Sequence, residues 1–110
     1  MPFEIVLSEN FERRVKKLSK KYHSLEDDLL ILINSLELNP TQGIPLGQDC
    51  FKIRLNITSK RAGKRGGARV ITCVKIVHEQ VILLTIIDKS EQETISEKEL
   101  DFLLKKISGN

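Results

Sequence analysis

Three stretches decide how this chain folds: Phe51-Lys52-Ile53-Arg54-Leu55-Asn56-Ile57, Ala68-Arg69-Val70-Ile71-Thr72-Cys73-Val74-Lys75-Ile76-Val77 and Val81-Ile82-Leu83-Leu84-Thr85-Ile86-Ile87. In the first, Phe51, Ile53, Leu55 and Ile57 alternate with Lys52, Arg54 and Asn56, the period of a strand with one buried face. In the second, Val70, Thr72, Val74 and Ile76 share a face opposite Arg69, Ile71, Cys73, Lys75 and Val77. The third is apolar on both faces, as a central strand is. Thr58–Gly67 connects the first two, and His78-Glu79-Gln80 turns the chain before the third.

Upstream, Phe3, Ile5 and Leu7 alternate with Glu4 and Val6 and predict a short first strand. Ser8 can cap a helix with Glu9 and Glu12 in its first turn and an apolar stripe of Phe11, Val15, Leu18 and Tyr22. Ser24, with Asp27 three residues on, predicts a second helix that buries Leu25, Leu29, Leu32, Ile33 and Leu36 and stops before Pro40. Asn39 to Asp49, with two prolines and two glycines, reads as a loop. Ser96-Glu97-Lys98-Glu99 is a capping box, stapled by Ile95 and Leu100, and opens a final helix with Leu100, Leu103, Leu104 and Ile107 on one face. The order β-α-α-β-β-β-α predicts an α+β fold over residues 1–110 as a single domain, with a helical hairpin and a C-terminal helix packed on a four-stranded antiparallel sheet.

Charge is segregated along the chain. Cys50 to His78 holds eight basic residues and no acidic one, whereas the remainder is net −5, so the formal total of +3 hides two opposed fields. The cations are Lys52, Arg54, Lys60, Arg61, Lys64, Arg65, Arg69 and Lys75, gathered around a glycine-rich turn. Such a field on a compact fold suits a polyanion. No apolar run is long enough for a membrane span, and Met1-Pro2-Phe3-Glu4-Ile5 is not a secretory leader. A cytoplasmic protein is expected. Cys50 and Cys73 read as buried, reduced thiols without metal-ligand spacing; no metal and no cofactor is expected.

Together with the element order, Phe51-Lys52-Ile53-Arg54-Leu55, Gly63-Lys64-Arg65-Gly66-Gly67-Ala68-Arg69-Val70-Ile71, Leu83-Leu84-Thr85-Ile86 and Asp88-Lys89-Ser90-Glu91 resemble the RelE/HigB branch of bacterial type II toxin–antitoxin systems, in the RelE/ParE superfamily. The resemblance runs from the second helix onward. It implies a RelE-like toxin that enters the ribosomal A site, cuts mRNA there as a metal-independent endoribonuclease, and is silenced by a cognate antitoxin. Three departures stand out: Thr72 and Cys73 replace tyrosines common after the Arg-Val-Ile element, Ile87 stands where a tyrosine often ends the fourth strand, and Ala62 stands where another lysine is frequent. Tyr22, the only tyrosine, falls on the helical hairpin.

Cleaving RNA through its own 2′-hydroxyl needs in-line geometry, stabilisation of the phosphorane-like charge, and proton transfer at both ends. Cations fixed on a rigid sheet supply the first two. Arg54 and Arg69 lie on the non-core faces of adjacent strands and are the leading catalytic candidates, with Arg69 able to clamp a phosphate at two points. Lys60 and Lys64 are candidates for proton transfer, their pKa lowered by neighbouring cations. Lys52, Arg61, Arg65, Lys75 and Lys89 are expected to bind RNA. His78 reads as a surface turn residue, and His23 simply precedes the Ser24 cap. Two other functions compete: a catalytically weakened domain that only binds RNA or the ribosome, and a ParE-like inhibitor of DNA gyrase.

Overall fold

The computed structural model describes residues 2–59 and 67–108. Its elements are β1 (Glu4–Leu7), α1 (Glu9–Ser19), α2 (Leu25–Leu38), β2 (Ile44–Gly47), β3 (Cys50–Leu55), β4 (Ala68–Lys75), β5 (Gln80–Asp88) and α3 (Glu97–Ile107). They form one sheet of order β1-β5-β4-β3-β2. The β2–β3, β3–β4 and β4–β5 pairs are antiparallel, while β1 pairs with β5 in parallel through Ile5 opposite Val81 and Leu7 opposite Leu83.

The α+β architecture expected from the sequence is present, with two differences in the sheet. It has five strands and is mixed. The extra strand, β2, comes from the segment expected to be a loop. Pro45 is tolerated there because β2 is an edge strand, where a missing N–H need not break a ladder. The turn into β3 places Gln48 and Asp49 at φ 54° and 61°, the left-handed pair of a two-residue hairpin usually signalled by Asn-Gly. Gly43 is also required: a Cβ on it would run into the Lys52 carbonyl at 2.6 Å, and its φ is +104°.

Helices cover both faces of the sheet. α1 and α2 bury Phe11, Leu18, Leu25, Leu29, Leu32 and Leu36 against Ile53, Leu55, Val70, Val74, Val81, Leu83 and Ile86. On the other face α3 lays Leu100 and Leu103, with Ile95, over Ile71, Cys73, Leu84 and Ile87. Alternate residues of β4 and β5 therefore enter opposite cores, which explains why β5 is apolar throughout. The α1 cap forms as expected, with Phe11 N–H donating to Ser8 Oγ at 3.0 Å, and Glu99 N–H donates to Ser96 Oγ at 3.1 Å at the start of α3. Ser24 does not cap α2 with its side chain; its hydroxyl donates to Asp28 instead. Among the described residues no helix is long and apolar enough to cross a membrane.

Candidate nucleic-acid interface

Arg54 of β3 and Arg69 of β4 are direct cross-strand partners, and Arg69 is in turn opposite Ile87 of β5. The bond from Val74 N–H to the Asp49 carbonyl, 2.9 Å, sets the ladder phase, and counting along it makes Arg54–Arg69 a non-hydrogen-bonded pair. That is the closer of the two antiparallel spacings, about 4.5 Å between Cα atoms. Arg54 is exposed and Arg69 half-buried. Like charges placed this way repel by roughly 0.2–1 kcal/mol. Among the described residues neither guanidinium has a carboxylate partner; the one ion pair joins Lys21 to Asp88.

The rest of the expected cations divide by position. Lys52 is on the same face as Arg54, two residues back along β3 and about 7 Å away by strand rise, opposite Ile71 on β4 and Ile44 on β2. Lys89 follows β5 directly, and its N–H donates to the Gly67 carbonyl at 3.3 Å, so it joins the Arg69 end. Lys75 is at the other end of β4, paired with Gln80, about 20 Å from Arg69 along the strand. Lys60, Arg61, Lys64 and Arg65 lie outside the described residues. His78 occupies the far turn with Ile76 and Glu79, whereas His23 is exposed beside Ser24, at the pole from which the basic connection leaves.

Sequence reasoning missed the groups that fix the two stems of that connection. At the first stem, Asp28 is buried and accepts from Thr58 N–H at 3.0 Å, Thr58 Oγ1 at 3.0 Å and Ser24 Oγ at 2.8 Å. Ser59 N–H donates to Ser24 Oγ at 2.8 Å. At the second stem, Asp88 is opposite Ala68 and fully buried. It accepts from Tyr22 Oη at 2.9 Å, Lys21 Nζ at 3.3 Å and Ser90 Oγ at 2.8 Å. Hydrogen bonds to Tyr22 and then to Asp88 raise the Lys21 pKa above its usual 10.5. Gly67 completes this stem by close approach, since a Cβ there would strike the Leu55 carbonyl. A signal for Asp28 existed: it falls on the buried stripe Leu25, Leu29, Leu32 and Leu36. Tyr22, expected on the hairpin, thus reaches the end of the sheet, but with its hydroxyl engaged by a carboxylate.

Two features bound the chemistry. Ile87, beside Arg69, is 1% exposed and packed among Ile71, Ile95 and Leu100, so no proton-transfer group stands next to the arginines on β5. Phe51 is half-buried and packs against the α1/α2 core, on the side of the sheet opposite Arg54. Among the described residues no cluster of His, Cys, Asp and Glu is arranged for a metal ion. The arrangement suits charge stabilisation and grip on a phosphate backbone.

The fold is that of RelE toxins. A free E. coli toxin RelE carrying two arginine-to-alanine changes superposes with TM-score 0.64 over 97% of this chain and 99% of that one, at 17% identity. The RelBE2 toxin–antitoxin complex of Mycobacterium tuberculosis aligns with TM-score 0.56 over 80% of this chain and 99% of the matched chain, at 15% identity. Isolated E. coli RelE toxin aligns with TM-score 0.51 over 96% and 98%, at 19% identity. No family model matches the sequence, and no curated protein matches it.

Proposed function

We propose that this chain is the toxin of a type II toxin–antitoxin pair and acts in the cytoplasm as a ribosome-dependent mRNA endonuclease. The observation that carries this reading is the Arg54–Arg69 pair. A protein under selection for stability alone has no reason to set two cations face to face with no carboxylate partner among the described residues; a doubly charged phosphorane-like group between them reverses the sign of that energy. Lys52 and Lys89 extend the positive field on either side, and Asp28 and Asp88 fix Thr58 and Ala68, from which the basic segment leaves and returns. Similarity to RelE structures, including one in a toxin–antitoxin complex, supports the same class.

In this mechanism Arg69 grips the non-bridging oxygens of the scissile phosphate while Arg54 neutralises charge that develops as the 2′-oxygen attacks. Lys60 and Lys64 supply proton transfer from the basic segment. An antitoxin with acidic, amphipathic segments covers the positive face and keeps the host growing. The test is induction of the chain alone in cells, followed by mapping of mRNA 5′ ends and assay of translation. Arrest with in-frame cuts supports the reading; DNA damage with intact translation overturns it in favour of gyrase inhibition.

A binding-only reading draws on one specific observation, the buried aliphatic Ile87 beside Arg69. Ribosome binding without new mRNA ends distinguishes it.

A further inference from the structure

We propose that Cys50 and Cys73 are a thiol–disulfide site: a cross-strand pair that a small disulfide oxidant closes reversibly in the folded protein. The inference is independent of the function proposed above. It starts from register. Cys50 of β3 and Cys73 of β4 are Cα partners, both side chains enter the α3-side core, and both are 1% exposed. The bond from Val74 N–H to the Asp49 carbonyl brackets the pair and makes it a non-hydrogen-bonded position. The expected Cα separation of about 4.5 Å falls at the short end of the range, roughly 4.4–6.8 Å, that a disulfide spans. These are the chain's only cysteines, so any intramolecular bridge must be this one.

The thiols already interact. A hydrogen bond from Cys50 holds the Cys73 thiol below its ordinary value, while the same bond, reinforced by burial, pushes Cys50 up. The pair therefore gives up its first proton from Cys73, and the Cys73 thiolate is the attacking sulfur. In the reduced form the Cys50 S–H also has the Gln48 carbonyl at 3.4 Å.

Entry for the oxidant lies at the adjacent hairpin. Gly47 of the four-residue edge strand β2 pairs with Cys50 across a register shift, and the turn holds Gln48 and Asp49 in left-handed backbone, a conformation that costs non-glycine residues energy. Opening this end exposes Cys50 and its partner without unfolding β4 or β5.

Glutathione disulfide serves as the oxidant. Cys73 Sγ attacks one of its sulfurs, the S–S bond breaks, and one glutathione thiolate leaves with the electron pair. Cys50 then gives its proton to the departing thiolate, and its sulfur attacks Cys73 Sγ and expels the second glutathione as a thiolate, which takes up from water the proton that Cys73 released at the start. Two protein thiols are oxidised and one glutathione disulfide is reduced to two thiols. The bond would staple β3 to β4 on the same face as Arg54 and Arg69, four residues away along each strand.

The test equilibrates the whole chain with reduced and oxidised glutathione, once in native buffer and once in strong urea, quenches with acid and measures the intact mass. The site predicts a monomer lighter by two hydrogens, restored by dithiothreitol, with native circular dichroism. Its equilibrium constant for closure should be about 10-fold or more larger in the folded than in the unfolded chain. Equal or weaker closure in the folded chain overturns the proposal. So does a native product consisting of mixed glutathione adducts or cross-linked dimers. Cys50→Ser and Cys73→Ser identify the bridge, since neither can give the lighter monomer.

Discussion

Arg54 and Arg69 face each other directly across β3 and β4, and on the opposite side of the sheet the next row, Leu55–Ala68–Asp88, is buried under the helical hairpin. The sheet thus separates a charged row from a structural row only one residue apart. Substitutions in the two rows should have opposite consequences.

Arg54→Ala should leave stability unchanged or raise it by up to about 1 kcal/mol, because it removes a like-charge cross-strand contact. Urea unfolding checks this. A loss of more than about 1 kcal/mol would show that the arginine stem packs structurally.

Asp28→Ala should destabilise the protein by about 2–3 kcal/mol, since Thr58 and Ser24 lose a buried acceptor. It should also impair whatever activity the chain has, by releasing the Thr58–Ser59 stem. Urea unfolding together with amide exchange at Thr58 and Ser59 measures both effects. Unchanged protection at those amides would contradict the anchoring role.

Thr72 is fully buried, and its hydroxyl has no hydrogen-bond partner among the described residues. Thr72→Val keeps the shape and removes that unpaired group, so it should raise stability by about 1 kcal/mol. A loss of stability on chemical unfolding would mean that the hydroxyl is satisfied in solution.

The Lys21–Asp88 contact predicts a particular pH dependence. Because the Lys21 pKa is raised on folding, its contribution is fully present below the unfolded value of about 10.5 and is lost as pH rises through the folded value. The stability difference between the native chain and Lys21→Gln should be small, favour the native chain at neutral pH, and vanish in strong alkali. A difference that grows with alkalinity would reverse the sign and remove the pair.

Much of this structure was legible where periodicity carried it. Alternation in 51–57, 70–76 and 81–87 located three strands and put Arg54 and Arg69 on one face, because each strand has at least one face that must be buried. What failed was of two kinds. β2 was hidden because Pro45, Gly43 and Gly47 resemble punctuation, and edge-strand tolerance for proline depends on a neighbour the local sequence does not show. The parallel partner of β1 is similarly set by packing across some seventy residues. The buried carboxylates were overlooked because acidic residues on a helix or after a strand ordinarily face water. Asp28 and Asp88 are buried only because Thr58, Ser24, Tyr22 and Ser90 converge on them.

The most direct measurement is cleavage of mRNA on programmed ribosomes by the native chain and by a folded Arg69→Ala variant. The proposed function predicts defined cuts in the A-site codon by the native chain, slowed about 10²–10³-fold in the variant, with unfolding free energies equal within about 1 kcal/mol. Equal cleavage by both proteins, or none by the native chain on ribosomes to which it demonstrably binds, would contradict it.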